Sequence, residues 1–353
     1  MQKGTSFALL SNITGAKLMN ITLVLDSRKM GGIESHVFNL ASSLKTMGLA
    51  VNVLFIREYP NHPLHEKLAN NNIEFKYLEG GIFSLVKYVK RNHISLLHSH
   101  GYKSGIYCRI VGLLLRIPIV STYHAGEPGQ GKIRLYNKLD KLLSKLCYPI
   151  AVSKKIAKEL PTDSEIISNF VTVEDRVDRS YMNRIAFVGR LSEEKGPDTY
   201  CEISGKIPQA KFQMYGDGMM RENLQRQYSE SVTFYGALND MRNEWRNIDL
   251  LCITSKYEGM PLVALEAMSH SVPIIAFDVG DINKLISKND GGWLIPAGDK
   301  DKMIQKIMQF CGMTELNKIE MGAKARTKIM NQYSSDVVVQ KICDIYYKLV
   351  RVH

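Results

Sequence analysis

From residue 20 onward the chain alternates short unbroken apolar runs with longer stretches whose apolar positions recur at helical spacing. ITLVLD is such a run; Gly31-Gly32 follows, and ESHVFNLASSLKTMG then carries apolar residues at helical intervals as far as Gly48. VNVLFI, a helical PLHEKLANNN, IEFKYL, ISLLHSH, a helix around 103–115, IPIVSTYH, a basic helical segment and YPIAVS continue the series. Strands that are apolar throughout belong in parallel sheets covered on both faces, and strand–helix alternation is how such sheets are written. The same grammar restarts at NRIAFVGR and runs through KFQMYG, VTFYG, LLCIT, VPIIAFD and GGWLIP. The pattern therefore predicts two successive doubly wound α/β domains, joined near 168–180, where SNFVTVEDRVDRS is polar and aperiodic. Expected boundaries are a loose leader over 1–19, domains over 20–172 and 173–335, and a terminal helix over 336–353. Ligands of such sheets sit at the carboxyl ends of the strands, so two sheets face to face place a site in the cleft between them.

A length of 353 residues agrees with two domains, since single cores stop growing near ~250–300 residues. Six scattered cysteines without a CxxC pair suit free thiols in a reducing cytoplasm, not a disulfide framework or a zinc site. The opening MQKGTSFALLSNITGAKLMN is a poor signal peptide, and no apolar run is long enough to span a bilayer. A cytoplasmic protein is expected. Charge adds more. Of the net +11, all resides in residues 1–172, which hold 22 Lys and Arg against 11 Asp and Glu; residues 173–353 hold 24 of each. Such asymmetry suits contact with a polyanion or an anionic lipid surface, or plain solubility. Within the basic half, KIRLYNKLDKLLSKLCYP sets Leu135, Leu139, Leu142, Leu143 and Leu146 on one stripe, with Lys138, Lys141 and Lys145 elsewhere. It reads as an interfacial helix on a membrane or as an ordinary helix covering the sheet.

Candidate chemistry gathers at strand ends. In SKYEGMPLVALEAMS, Pro261 suits the first helical position, leaving the first-turn amides to face sugar hydroxyls or an anion. Pro261 to Glu266 rises about 7.5 Å, and the loop back to Glu258 adds to it; that is wide for the roughly 5–9.5 Å of a glycosidase pair. Glu258 and Glu266 read instead as two grips on one elongated ligand. AFVGRLSEEKG turns at Gly189 and offers Arg190 and Lys195 to a diphosphate. Gly216 and Gly218 in YGDGMMRENL are expected to wall a nucleotide pocket, and Gly32 to bring backbone amides near a phosphate. His124, in STYHAGEPG, lies just past a strand end, as a catalyst or as a structural hydrogen-bonding group. Asp299-x-Asp301 reads as a helix cap, and no metal site is expected.

Taken together, GGIESHVFNLA, HSHGYKSG, STYHA, AVS, FVGRLSEEKG, GDG, VTFYG and SKYEGMPLVALEAM resemble, in order and spacing, the retaining nucleotide-sugar-dependent glycosyltransferases of family 4. The resemblance covers roughly residues 20–350. It implies the GT-B fold: an acceptor-side domain first, a nucleotide-sugar-binding domain second, and a last helix packing back on the first. It implies that Arg190 and Lys195 bind the donor diphosphate, that Glu266 accepts from the ribose hydroxyls, and that Glu258 contacts the donor sugar. Gly259, Met260, Pro261 and Leu262 would hold sugar hydroxyls and phosphate, Gly32 would face the diphosphate, and His124 would stand beside the transferred sugar. Ser271 and Asp281 depart from the family by standing where it carries glycine. The expected reaction moves a sugar to a glycan or lipid-linked acceptor in bacterial surface polysaccharide or glycolipid synthesis. It needs no metal and no cofactor beyond the nucleotide sugar itself; no nucleic acid is expected, and the basic half would touch the inner face of the cell membrane. The alternatives are a GT-B nucleotide-sugar epimerase and a catalytically inactive nucleotide-sugar-binding subunit.

Overall fold

The computed structural model describes residues 19–28, 30–124, 132–174, 180–286 and 291–352. The leader expected over 1–19 lies, apart from Met19, outside them. Seven strands form the first sheet: β1 Asn20–Leu25, β2 Ala50–Phe55, β3 Glu74–Tyr77, β4 Leu96–His100, β5 Ile119–Tyr123, β6 Tyr148–Ala151 and β7 Glu165–Ile166. They pair in the order β3-β2-β1-β4-β5-β6-β7, all parallel. Six strands form the second: β8 Arg184–Val188, β9 Lys211–Tyr215, β10 Val232–Gly236, β11 Leu250–Ile253, β12 Ile274–Phe277 and β13 Gly292–Ile295. Their order is β10-β9-β8-β11-β12-β13, again parallel. In both sheets the strand order reverses beside the first strand, at β1/β4 and at β8/β11. Those reversals open the crevices where doubly wound sheets bind ligands.

Burial explains why the unbroken runs became central strands. Every residue of β4, β5, β11 and β12 is buried, so these strands satisfy their amides within the ladder and lay side chains under helices on both faces. The short β7 is fully exposed and has no apolar run to betray it; the periodicity above passes over it.

The chain crosses between the two sheets twice, side by side. Val171 N–H donates to Tyr333 O at 3.0 Å, and Ser335 N–H donates to Val171 O at 2.9 Å. After the second crossing, the helix Ser335–Val352 lays Val339, Ile342 and Tyr346 into the buried cluster of Ile21, Leu23 and Leu40 in the first sheet's layer.

One local expectation changes, and one that was open is narrowed. Pro261 is the N-cap, not the first residue, of the helix Leu262–Ser269; its extended ψ of 122° keeps it outside the turn. The leucine stripe of the helix Lys132–Leu142 points outward: Leu135 and Leu142 are 69% and 63% exposed. Its opposite side is the anchored one, because Asp140 meets the buried Arg109 at 2.6 Å and Arg109 also donates to Tyr123 Oη at 2.6 Å. An ion pair held inside leaves the leucines outside.

Candidate functional site

A cavity of about 260 Å³ opens at the β8/β11 reversal. Val188 and Gly189 from the end of β8, Ile253 and Ser255 from the end of β11, and Lys195, Glu258 and Glu266 line it. Pro261, Leu262 and Val263, at the start of the helix Leu262–Ser269, add that helix's N-terminal dipole to the wall. Gly32 and Ser35 come from the first sheet's side, where the helix Gly32–Thr46 begins past β1. A Cβ at Gly32 would sit 3.7 Å from Leu262 Cδ1, so the two halves of the molecule approach closely here.

Lys195 and Glu258 meet directly. Lys195 Nζ donates to Glu258 Oε1 at 2.6 Å, and Ser255 Oγ donates to the same oxygen at 2.7 Å. The carboxylate is 8% exposed and the lysine 32%. A charge that deeply placed needs its partner, which is why the lysine turns to the glutamate. The lysine loop is fixed in turn: Thr254 Oγ1 donates to Gly196 O at 2.7 Å, and Lys256 N–H donates to Glu194 O at 2.9 Å. Gly196 adopts φ +65° with Thr254 O only 2.3 Å from where a Cβ would stand, an approach only glycine permits.

Glu266 lies half-buried in the cavity wall. Desolvation pushes its carboxyl up to about 7; Lys67, from the helix Pro63–Asn70 of the first domain, draws it down, and Asp240 raises it. Met260 is buried in the core, and its carbonyl accepts from Asn169 Nδ2 at 3.0 Å, tying the glycine–methionine–proline turn to the interdomain segment. Gly259 has nothing within 4 Å of its would-be Cβ, so its face is open to an incoming group.

Several expected residues stand elsewhere. Arg190 is outside the cavity lining; its side chain is 70% exposed and lies 3.8 Å from Glu194. Gly216 and Gly218 do not line the cavity. A Cβ on Gly216 would fall 1.8 Å from Gly189 O, and one on Gly218 would fall 2.3 Å from Leu191 O, so these glycines seat the Gly189–Leu191 turn from behind. His124 is also set back from the cavity. Its Nε2 is 3.1 Å from His100 Nδ1, and its ring meets His36 edge-on at 4.6 Å. Burial holds the cluster neutral, with His36 lowered to about 4 and His98, His100 and His124 lowered well below their ordinary value. The ligating nitrogens of His36, His100 and His124 lie within 4.8 Å of one another, the one grouping with metal-like spacing among the described residues. Two of the rings, His100 and His124, are joined by a hydrogen bond, and His36 meets both through ring contacts. Asp299 caps the helix Lys300–Cys311 through Lys302 N–H at 2.9 Å.

The two positions that depart from glycine differ in setting, and nothing in the structure explains the serine at the first. Ser271 takes φ +59°, a left-handed conformation that disfavours a side chain. Asp281 N–H donates to Gly259 O at 3.1 Å, and Gly280 leaves room for Glu258 O, so this segment supports the Glu258–Gly259 turn. Periodicity gave no hint of Ser35, Lys67, Asp240 or Asn169 as neighbours of the site. Of the histidines, the HSH triplet at 98–100 was the visible signal.

Two parallel doubly wound sheets, with a site where both strand orders reverse, define a GT-B architecture. Comparison with known proteins gives the family. Residues 30–175 match the model of Glycosyltransferase Family 4, and residues 182–312 match that of Glycosyl transferases group 1. The chain belongs to the glycosyltransferase enzyme family. It is 28% identical over 308 residues to the UDP-Gal:alpha-D-GlcNAc-diphosphoundecaprenol alpha-1,3-galactosyltransferase of Escherichia coli, covering 76% of this chain and 79% of that one. It is 26% identical over 303 residues to the O-antigen biosynthesis glycosyltransferase WbnH of Escherichia coli, covering 80% and 88%. Among solved structures, that of Anabaena Alr3699/HepE in complex with UDP-glucose matches the fold with a TM-score of 0.80 at 17% identity, over 94% of this chain and 100% of that one.

Proposed function

We propose that this chain is a retaining glycosyltransferase that moves a hexosyl group from a nucleotide-diphosphate sugar to a hydroxyl of a lipid-linked or glycan acceptor in surface polysaccharide synthesis. The observation that carries it is the convergence of Lys195, Glu258, a helix N-terminus and Glu266 on one cavity facing Gly32. In this reading, Lys195 and the amides of the Leu262–Ser269 helix stabilise the charge that develops on the leaving diphosphate, which is where preorganised donors do most. Arg190 turns from Glu194 to join them. Glu258 orients the donor sugar, and Glu266 accepts from the ribose. The acceptor hydroxyl attacks from the face the diphosphate leaves, and a phosphate oxygen takes its proton. The cations supply the neutralisation a metal would otherwise give, so the reaction runs without one. The cleft closes as the ligand bridges both domains. The Escherichia coli relative whose name states a UDP-galactose donor, a diphosphoundecaprenol-linked acceptor and an α-1,3 product supports a UDP-sugar, a lipid-diphosphate acceptor and an α linkage here.

The test is a melting screen of UDP-, GDP- and ADP-sugars, followed by transfer from the stabilising donor to a sugar-diphosphate lipid and assignment of the product anomer by NMR. A stabilising UDP-sugar and an α product are expected. Release of an epimerised sugar nucleotide without any acceptor would replace the transferase by the epimerase alternative.

A further inference from the structure

The helix Lys132–Leu142 and the turn Leu143–Leu146 are inverted relative to an ordinary covering helix. Leu135, Leu139, Leu142 and Leu146 recur at i, i+4, i+7 and i+11, one face of a helix, and are 69%, 40%, 63% and 41% exposed. Asp140 on the other face is buried against Arg109. Around the leucines stand exposed Arg134, Lys138 and Lys145. The Lys141–Glu159 ion pair, at 2.6 Å, ties this helix to its neighbour Lys154–Glu159, where Lys154, Lys155 and Lys158 are exposed too. Residues 132–158 hold eight Lys or Arg and one acidic residue.

We infer that this face docks on an anionic lipid leaflet. Exposed leucines alone would suit a protein partner equally, but lysines are depleted in the centres of protein interfaces. Leucines ringed by cations are what an in-plane helix uses at an anionic headgroup layer, and each cation near such a surface strengthens partition about fivefold. Placement supports the same occupant. Tyr136 stacks on Tyr102 with centroids 5.9 Å apart, and Tyr102 opens the helix that follows the carboxyl end of β4. The face therefore lies beside the mouth of the first sheet's crevice, where a lipid-linked acceptor would be handed in. The inference rests on the acceptor being carried at a membrane, as proposed above.

The test is flotation of the full chain with vesicles of equimolar phosphatidylglycerol and phosphatidylcholine, or of phosphatidylcholine alone, at low and high salt. The protein should float with the anionic vesicles at low salt, leave them at high salt, and ignore the neutral ones. Leu139→Asp/Leu142→Asp and Lys138→Glu/Lys145→Glu should each lower partition by about tenfold or more while melting like the parent. Leu139→Gln/Leu142→Gln replaces the first pair should it fail to fold. Unchanged flotation of the variants, or equal binding to neutral vesicles, would overturn the docking face. So would a parent dimer that the leucine variants turn into monomer by light scattering, which assigns the face to a second copy. Transfer to a short water-soluble acceptor is read in parallel. If the parent lacks it yet floats as expected, the transferase reading fails and the docking face stands; if all variants retain it but float normally, the reverse holds.

Discussion

Glu266 offers the sharpest test of the donor site, because its proton is the quantity that changes. Desolvation in the cleft wall raises its carboxyl from the ordinary 4.5 to about 7, with Lys67 and Asp240 as the charged groups facing it. At that value it is roughly one-tenth ionised at pH 6 and nine-tenths at pH 8. A nucleotide whose ribose hydroxyls donate to the carboxylate prefers the ionised form, so affinity through this contact should rise by up to about tenfold between those pH values. Binding near pH 7 should release about half a proton. The nucleotide's own terminal phosphate titrates near ~6 and also favours high pH, so the readout is the difference between the parent and Glu266→Gln. Calorimetry in buffers of different ionisation enthalpy gives both affinity and protons released. The sign for the free protein is opposite. A carboxyl whose folded value is raised binds more protons folded than unfolded, so its contribution to stability falls as pH rises from 4.5 through about 7. Glu266→Gln should flatten that fall in a melting series. If the Gln variant keeps the parent's pH slope and proton release, Glu266 does not contact the nucleotide.

Other substitutions separate the remaining roles. Lys195→Ala removes a charge-assisted contact, and kcat/KM should fall roughly ten- to hundredfold or more; parent-like turnover would refute the diphosphate assignment. Arg190→Ala should leave the melting temperature unchanged, since the side chain is 70% exposed, yet lower turnover on a similar scale; unchanged turnover would return Arg190 to the surface. Glu258→Ala should abolish transfer while nucleotide affinity by calorimetry stays within about threefold, the uncertainty of a single-contact argument. Gly216→Ala forces a Cβ onto Gly189 O and should destabilise the fold, whereas Gly259→Ala meets nothing within 4 Å, so it should melt like the parent and raise the KM for donor. Equal melting of the two variants would show the turn behind the site to be softer than its packing implies.

The two sheets were legible because most of their strands, buried on both faces, open on runs of consecutive apolar residues separated by helical stretches. ITLVLD and VPIIAFD announce β1 and β12 directly, while Glu165–Ile166, exposed on both faces, carries no such mark. Spacing also told which residues share a helical face, as with Leu135, Leu139 and Leu142, but spacing has no sign. Whether the stripe faces the sheet or solvent depends on Arg109 reaching Asp140 from another helix, 31 residues away in sequence. What the turn glycines Gly216 and Gly218 make room for was illegible for a related reason. A turn glycine can make room for a ligand or for a neighbouring carbonyl, and only the carbonyl's position, Gly189 O against Gly216, decides which. The site's cross-domain members, Ser35 and Lys67, belong to a surface that exists only once both sheets are in place.

On the proposed reading, Arg190 and Lys195 differ in what each must give up to meet a diphosphate. The Arg190–Glu194 contact is long, at 3.8 Å, and exposed; pairs of that kind contribute about 0–1 kcal/mol. One charge-assisted hydrogen bond to a phosphate contributes about 1.5–3 kcal/mol, so the guanidinium gains by leaving Glu194 for the cavity that its neighbour Gly189 already lines. Lys195 has less freedom, because withdrawing it strands an 8% exposed carboxylate on Ser255 alone. On the proposed reading, a donor would recruit Arg190 by rotation and share Lys195 with Glu258 in place. The proposed mechanism would then set the lysine's charge between the diphosphate and Glu258, the carboxylate assigned to the sugar, beside the bond to be broken.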